Sequence, residues 1–323
     1  MREEIEENNI YAIDCLQGLR KIEDDSVQCC ITSPPYWKLR NYGVEGQFGL
    51  ERTPEAYVEI LVELFDEVRR VLKPDGTLWL NLGDMYWGSG KVGNNPAYLQ
   101  KQKEFNKVSA HPGKFGMPLT GKHKEIKDKD LIGFPWMVAF ALRKQGWYLR
   151  QDIIWHKPNP MPESITDRCT KSHEYIFLLS KNRKYYFDHK AIQTEAKGLT
   201  IRDRTSRPAR KAKYEPLVNC FRKERSPDLK ANRRSVWSIT NKPFKEAHFA
   251  TFPPEIPELC MLAGSKERDV ILDPFMGAGT TALVATKLNR RFIGFELNPD
   301  YVDIAVKRLL ATGVSIEKLI REN

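Results

Sequence analysis

The segment 270–296 constrains the fold more than any other part of the chain. A short apolar run, 270–273, leads into the glycine turn Gly277-Ala278-Gly279 and then into a helical pattern over 280–288. Glycines let the backbone approach a ligand closely, and the first turn of the following helix offers unpaired N–H groups. A second apolar run, 292–296, ends at Glu296, 19 residues after Gly277 and where an acid would hold a ribose hydroxyl. The alternative is a packing turn followed by a chance acid.

The position of this unit argues against a nicotinamide dehydrogenase, although Gly277, Gly279 and Ala282 match the loose dinucleotide pattern G-x-G-x-x-A. A dinucleotide-binding fold normally begins with such a unit. Here only one helical pattern, 299–310, and a short tail follow Glu296. Strands from earlier in the chain must therefore complete the sheet.

Apolar runs rich in β-branched residues alternate with helical patterns along the rest of the chain. The further strands are predicted near 10–14, 27–32, 77–82, 149–155 and 175–179. The further helices are predicted over 56–72 and 135–144. The turn signal Lys73-Pro74-Asp75-Gly76 separates the first of these helices from its strand. This alternation predicts an α/β fold with a mostly parallel, twisted sheet flanked by helices on both faces.

Two polar stretches interrupt the alternation, and one of them carries most of the excess charge. The formal net charge is +10, and the segment 197–234 holds 13 Lys and Arg against 4 Asp and Glu. Such a concentration suits a polyanionic partner, although a solvated basic face is the alternative. The segment 88–130 is also polar and Lys-rich, and it would either close over a ligand or be a solubilising loop.

The remaining composition indicates a protein of the reducing cytosol. The six cysteines include no C-x-x-C pair, so a zinc site is not expected. No apolar run approaches the roughly 20 residues of a membrane helix, and the acidic start of the chain is unlike a signal peptide.

A second constrained turn follows the buried-looking run 27–32. It is Ser33-Pro34-Pro35-Tyr36-Trp37, in which consecutive prolines fix φ and remove N–H donors. Ligands of α/β sheets lie at the carboxyl ends of strands. A stiff turn there, with a hydroxyl, free carbonyls and aromatic rings, can grip a planar base. Taken alone, the same four residues could be an ordinary turn.

Together these segments resemble the motifs of DNA amino-methyltransferases of the β group. Ser33-Pro34-Pro35-Tyr36 is similar to their S/D/N-P-P-Y catalytic motif, and Asp273-Pro274-Phe275-Met276-Gly277-Ala278-Gly279-Thr280 is similar to their cofactor loop. The family's other motifs are matched, in order, by 11–19, Asn81-Leu82-Gly83-Asp84, 156–163, His173-Glu174-Tyr175 and 248–253. The catalytic motif precedes the cofactor loop, which is the circularly permuted order of the β group. The resemblance covers almost the whole chain outside the two insertions.

The resemblance implies a Rossmann-like methyltransferase fold that uses S-adenosylmethionine, and it assigns site residues. The residues expected to be catalytic are Ser33, Pro34, Pro35, Tyr36 and Asp84. The residues expected to bind the cofactor are Asp14, Phe249, Phe252, Asp273, Pro274, Phe275, Gly277, Gly279, Thr280, Thr281 and Glu296. A turn or cap role is the alternative for both Asp14 and Asp84. No metal is expected.

Serine at the first position of the tetrapeptide resembles the N4-cytosine enzymes, whereas N6-adenine enzymes more often carry aspartate there. N6-adenine methylation is therefore the second hypothesis. No Pro-Cys pair occurs, which disfavours the cysteine nucleophile of C5-cytosine enzymes. An RNA or protein amino-methyltransferase and a non-catalytic DNA-binding module are further alternatives. The motif order and the basic insertion favour DNA over the first, and the intact motifs argue against the second.

The resemblance also divides the chain. It predicts a catalytic part at 1–193 with the insertion 88–130, a target-recognition region at 194–241 and a cofactor-binding part at 242–323. The expected partner is double-stranded DNA, with a cognate restriction endonuclease acting separately and no membrane. A prokaryotic, cytoplasmic, nucleoid-associated monomer is expected. The recognition sequence lies beyond what these residues can tell.

Overall fold

A computed structural model describes residues 5–39, 42–88, 123–195, 230–241 and 252–313. Its strands are β1 (Asn9–Tyr11), β2 (Val27–Thr32), β3 (Leu72–Leu82), β4 (Tyr148–His156), β5 (His173–Ser180), β6 (Thr194–Glu195), β7 (Lys230–Ala231), β8 (Val236–Ser238), β9 (Val270–Asp273) and β10 (Arg291–Phe295). Its helices are α1 (Cys15–Leu19), α2 (Pro54–Val71), α3 (Phe134–Lys144), α4 (Glu255–Gly264), α5 (Thr280–Lys287) and α6 (Pro299–Leu310).

The main sheet has the strand order β1-β10-β9-β2-β3-β5-β4-β8. Every neighbouring pair is parallel except the two made by β5, which runs antiparallel to both β3 and β4. The mostly parallel sheet predicted from the sequence is confirmed. The reversal at β5 was not predicted, and it places the start of β5 at the edge where the parallel strands end.

Helices cover both faces of the sheet, as the alternation of strands and helices predicts. Successive residues of a strand point to opposite faces, and the buried residues of β2 follow this rule. Cys30 packs in the cluster that includes Leu61 of α2 and Val138 of α3, whereas Ile31 packs with Met261 of α4 and Ala285 of α5. Burial on both faces explains why these runs are mostly apolar rather than strictly alternating.

Most predicted element bounds differ from the structure by one or two residues. The largest difference is at β3, whose bounds include the predicted turn 73–76. Between the pairs Val27↔Leu72 and Cys29↔Thr77, β3 advances by five residues while β2 advances by two, so the turn forms a bulge within the strand. Helix α1 and helix α4 were not predicted; α4 carries Pro257 in its first turn, where proline is tolerated.

The two insertions fall mostly outside the described residues. Residues 89–122 of the first and 197–229 of the second lie there, as does Phe249. Within the range assigned to target recognition, β8 pairs with β4 of the main sheet, and β6 pairs with β7. Within the described ranges, no helix combines the length and apolar character needed to cross a membrane.

Candidate functional site

The two motif loops leave neighbouring parallel strands at the same edge of the sheet. Strands β2 and β9 pair through Cys29↔Ile271 and Cys30↔Leu272, although about 240 residues separate them along the chain. The last residues of the two strands are joined directly, since Thr32 Oγ1 donates to Asp273 Oδ1 at 2.6 Å. The catalytic-type tetrapeptide and the glycine loop therefore begin side by side.

Asp273, the last residue of β9, accepts hydrogen bonds from the glycine loop and from its neighbours. Its Oδ2 accepts from Thr281 Oγ1 at 2.6 Å, and its Oδ1 also accepts from the Phe275 backbone N–H at 3.1 Å. The side chain is buried, and this burial raises the pKa of Asp273 to about 6, although the three donors act in the opposite direction. The carboxylate thus connects the end of β2, the loop and the first turn of α5.

The glycine loop requires its glycines. Gly277 and Gly279 have φ of 53° and 76°, in the region that L side chains rarely adopt. A Cβ added to Gly279 would lie 2.8 Å from the Ala305 Cβ of α6, so this position allows α5 and α6 to pack closely. The glycines therefore allow the loop to turn tightly and to pack against α6.

Glu296 lies beyond β10 and faces the same loop. Its Oε2 accepts from the Gly277 N–H at 2.8 Å, and its Oε1 accepts from the Asn298 N–H at 2.9 Å. Burial raises the pKa of Glu296 to about 7, against the lowering effect of these two N–H donors. A carboxylate held in this way retains lone pairs for a ligand hydroxyl.

A cavity of about 490 Å³ runs between the two motif loops, within the size range of small-molecule sites. The predicted site residues that line it are Asp14, Ser33, Pro34, Pro35, Tyr36, Phe252, Asp273, Pro274, Phe275, Gly277, Thr280 and Glu296. Gly279 and Thr281 lie behind the lining, where they pack against α6 and bond to Asp273 respectively. The structure thus brings together most of the residues that the sequence singled out.

Asp14 caps helix α1 and also lines the cavity. Its Oδ1 accepts from the Gln17 N–H at 3.0 Å and so caps α1, which is the turn or cap alternative. Asp14 also lines the cavity. The second carboxylate oxygen is not engaged by this cap, so capping α1 and binding a ligand are compatible.

Asp84, which was predicted to be catalytic, does not line this cavity. Its Oδ1 accepts from the N–H groups of Met85, Gly133 and Phe134 at 2.9, 3.0 and 3.2 Å. Its Oδ2 accepts from the Gly133 N–H at 3.1 Å. The carboxylate therefore caps the start of α3, which matches the cap role that the sequence left open. The sequence could not show this because Gly133 lies 49 residues away.

Hydrogen bonds of two tyrosine hydroxyls, one within the tetrapeptide and one on α2, hold the tetrapeptide in place. Tyr57 of α2 donates from Oη to the Pro35 carbonyl at 2.8 Å, which fixes the turn from below. Tyr36 donates from Oη to Glu174 Oε2 at 2.7 Å. Burial, followed by the Glu174 carboxylate, raises the pKa of Tyr36 well above its ordinary value, so its hydroxyl stays protonated. Trp37 is buried, with its Nε1 donating to the Glu51 carbonyl at 2.9 Å, so it is a packing residue.

Several polar residues of the cavity received no role from the sequence, and three of them lie around the tetrapeptide. Asn81 near the end of β3, Lys157 just after β4 and Glu174 near the start of β5 all line the cavity. Their segments were recognised as family motifs, but nothing in them marks these positions. The missing information is the reversal of β5, which brings its first residues beside the ends of β3 and β4.

Comparison with known proteins agrees with this geometry. The family model described as DNA methylase matches residues 27–307. The type II methyltransferase M.Cfr9I of Citrobacter freundii is 41% identical over 310 residues, which cover 96% of this chain and 90% of that protein. The type II methyltransferase M.XycI of Xanthomonas campestris pv. cyanopsidis is 42% identical, covering 94% of this chain and 87% of that protein.

Solved structures show the same fold at lower identity. The PvuII DNA methyltransferase (cytosine-N4-specific) aligns with a TM-score of 0.63 at 19% identity, covering 97% of this chain and 90% of that one. A putative DNA modification methylase from Thermus thermophilus, complexed with S-adenosyl-L-methionine, aligns with a TM-score of 0.58 at 23% identity, covering 98% and 99% of the two chains.

Proposed function

The chain belongs to the DNA methylase family, and we propose that it transfers a methyl group from S-adenosylmethionine to N4 of cytosine in double-stranded DNA. The observation that carries the proposal is the pairing of β2 with β9, which opens the tetrapeptide and the glycine loop into one cavity. A methyl acceptor held by the first loop then faces a methyl donor held by the second.

The residues of the second loop fit S-adenosylmethionine. A nucleoside carries ribose hydroxyls, and the Glu296 carboxylate has lone pairs that can accept them. The loop backbone at Gly277, which has no side chain and a positive φ, admits the amino-acid part of the ligand close to the start of α5. Phe252 and Asp14 also line the cavity. When bound, the cofactor supplies a methyl group on a positively charged sulfonium, which is the electrophile.

The residues of the first loop would prepare the acceptor. The amine of cytosine is a poor nucleophile because its lone pair is delocalised into the ring. Hydrogen bonds from the amine to Ser33 Oγ and the Pro34 carbonyl would favour a tetrahedral nitrogen and stabilise the charge that develops on it. Tyr36 would stack on the base, which must be flipped from the duplex at a cost of a few kcal/mol. Pro35 keeps the turn rigid, and the contacts with the amine are assigned to Ser33 and Pro34 rather than to Asp84.

Cytosine N4 is favoured over adenine N6 by Ser33 at the first tetrapeptide position, together with the resemblance to an enzyme named as cytosine-N4-specific. Adenine N6 is the second candidate, since the family includes both reactions. The relatives are type II methyltransferases, so we further propose a role in restriction-modification, with a separate cognate endonuclease. The basic region 194–241 would contact the DNA, with Arg and Lys binding phosphates and base edges.

Labelling of DNA tests the proposal. Unmethylated plasmid DNA is incubated with tritiated S-adenosylmethionine and digested to nucleosides, and the labelled base is identified by mass. We expect N4-methylcytosine from the wild type and at least about 100-fold less from Ser33→Ala. The matched control is Ser26→Ala, because Ser26 bonds to the Glu23 carbonyl just before β2, at the opposite end of that strand. Label on adenine would overturn the choice of base, and label on RNA alone would overturn the choice of DNA.

A further inference from the structure

A largely buried ion pair lies beside the tetrapeptide, and the mechanism above does not use it. The side chains of Lys157 and Glu174 are only 17% and 16% exposed, and their charged groups are in direct contact. The cost of taking two charges out of water can exceed their mutual attraction, so a buried pair is weak evidence of a contribution to stability. Its contacts with the cavity residues point instead to a role in the site.

The fold places this pair at the cavity through the one reversed strand. In the antiparallel ladder Glu174 of β5 lies opposite Trp155 of β4, and Lys157 follows two residues later. On the other side of β5, Asn81 of β3 lies opposite Ile176. Residues 174 and 176 point to the same face of the sheet because they are two apart. Glu174 is therefore brought next to Asn81 and to the loop that follows β2.

Glu174 accepts hydrogen bonds from three side chains. One carboxylate oxygen, Oε1, accepts from Lys157 Nζ. The other, Oε2, accepts from Tyr36 Oη at 2.7 Å and from Asn81 Nδ2 at 3.0 Å. An ionised carboxylate can only accept hydrogen bonds. Glu174 therefore fixes two orientations: the Tyr36 hydroxyl proton and the Asn81 amide nitrogen both point toward it.

Asn81 also contacts the serine of the tetrapeptide through the same amide nitrogen. Asn81 Nδ2 is also 2.9 Å from Tyr36 Oη and 3.3 Å from Ser33 Oγ. Its carbonyl oxygen is buried and has no hydrogen-bond partner among the described residues. An acceptor without a partner is unfavourable in this position, and the anionic Glu174 offsets the cost by holding the amide nitrogen.

Glu174 keeps its charge inside the protein. Burial by itself would raise the pKa of Glu174, but the Lys157 ammonium and the donors from Asn81 and Tyr36 lower it below its ordinary value. Lys157 also lies 4.2 Å from the centre of the Trp155 ring, which favours a cation at that point. Glu174 is therefore a fixed anion rather than a proton acceptor.

We propose that Glu174, neutralised by Lys157, is the positioning residue of the tetrapeptide: it fixes Asn81 and Tyr36, and through them the Ser33 hydroxyl that receives the target amine. The inference rests on the proposed methyltransferase function. It assigns roles to residues on three strands or their ends outside both motif loops, and it predicts that Glu174 acts on the chemical step rather than on cofactor binding.

Single-turnover kinetics on plasmid DNA with tritiated S-adenosylmethionine test this role in Glu174→Gln, Tyr36→Phe and the double variant. The amplitude of the time course gives the amount of active enzyme, and the rate constant gives the speed of methyl transfer in that enzyme. We expect Glu174→Gln to lower the rate constant roughly 10- to 100-fold, since misplacement by about 1 Å has effects of this size. The Kd for S-adenosylmethionine and the KM for DNA should change less than about threefold. The double variant should be within about twofold of Glu174→Gln, because both changes act on one network.

The matched control is Asp269→Asn. Asp269 makes a partly buried ion pair with Lys73 at 3.3 Å, just before β9 and hence at the opposite edge of the sheet from the cavity. The Asp269→Asn variant should be less stable than the wild type, but its single-turnover rate constant should be unchanged. A merely structural role for Glu174 would give the same pattern, with a lower amplitude and a wild-type rate constant, and would overturn the proposal.

Two further outcomes separate this inference from the proposed function. A wild type that methylates DNA, with Glu174→Gln equally fast, overturns the positioning role alone, whereas a wild type that labels no base overturns both. If Glu174→Gln does not fold, Tyr36→Phe and Asn81→Ala decide, because both leave the ion pair intact. A lower rate constant at wild-type amplitude in both variants supports the proposal. Unchanged rate constants in both contradict it.

Discussion

Binding of S-adenosylmethionine should depend on pH through Glu296. The pKa of this carboxyl is raised to about 7 in the ligand-free protein, mainly by burial. Ribose hydroxyls would donate to the ionised form, so a bound cofactor lowers this pKa, and protons compete with the cofactor below pH 7. The affinity should therefore rise as the pH increases through about 7 and level off above it.

The size of the effect follows from the ionised fraction of Glu296. A group with a pKa of about 7 is about 9% ionised at pH 6.0 and about 76% ionised at pH 7.5, so the Kd should fall about eightfold across this interval. This factor corresponds to about 1.2 kcal/mol of binding free energy. The upper limit of pH 7.5 keeps the α-amino group of the ligand mostly protonated, since its ordinary pKa is about 7.7–8.0.

Isothermal titration calorimetry at constant ionic strength measures the effect in wild type and in Glu296→Gln. The variant should bind about 10- to 100-fold more weakly at pH 7.5, because charge-assisted hydrogen bonds contribute about 1.5–3 kcal/mol. It should also lose the part of the pH dependence that Glu296 contributes. Asp273, with a pKa raised to about 6, changes charge in the same interval, so the difference between the two slopes isolates Glu296.

Glu267→Gln is the matched control for this experiment. Glu267 is an exposed carboxylate that accepts from Asn289 Nδ2 at 3.2 Å, in the loop that precedes β9. It should reproduce the wild-type slope. A Kd that stays within twofold between pH 6.0 and 7.5 in wild type, or an equal slope in Glu296→Gln, would refute the assignment of Glu296 to the cofactor.

Two substitutions test the supporting structure of the site. Gly279→Ala should lower the free energy of unfolding by about 2–4 kcal/mol in urea, because it combines a positive φ with a Cβ 2.8 Å from the Ala305 Cβ. Gly313→Ala has a similar φ and open space, so it should cost only about 1–2 kcal/mol, and equal losses would argue against the contact with α6. Asp84→Ala should cost about 1–2 kcal/mol through the lost cap of α3, with a single-turnover rate constant within about threefold of wild type. A loss of rate like that of Ser33→Ala would instead restore a catalytic role for Asp84.

The sequence predicted those parts of the fold and site that depend on local pattern. Strands β2 and β9 were placed at their observed bounds because strands buried on both faces are mostly apolar and these two are followed by proline turns. Helix α6 was predicted at its observed bounds because its apolar residues recur at helical spacing after Pro299. The glycine turn was evident because few other residues accept the φ of Gly277 and Gly279.

The parts that were missed depend on contacts between distant segments. The role of Asp84 is set by the start of α3, which reaches it only after a long insertion. The roles of Asn81 and Glu174 depend on β5 entering the sheet in reverse between β3 and β4. Apolar periodicity reports that a segment is a strand, but it carries no information on the direction in which that strand pairs.

The pairing of strands also explains why the order of the motifs along the chain is immaterial to the site. The acceptor loop and the donor loop both start at the carboxyl ends of parallel strands, and such ends share one edge of a sheet. Adjacent strands are about 4.8 Å apart, so the Thr32–Asp273 hydrogen bond can join the two loops at their base. From there the loops diverge around a cavity with room for a donor and an acceptor. Chain order affects only the connections, and it leaves room for the long basic insertion between the two loops, where double-stranded DNA would be contacted.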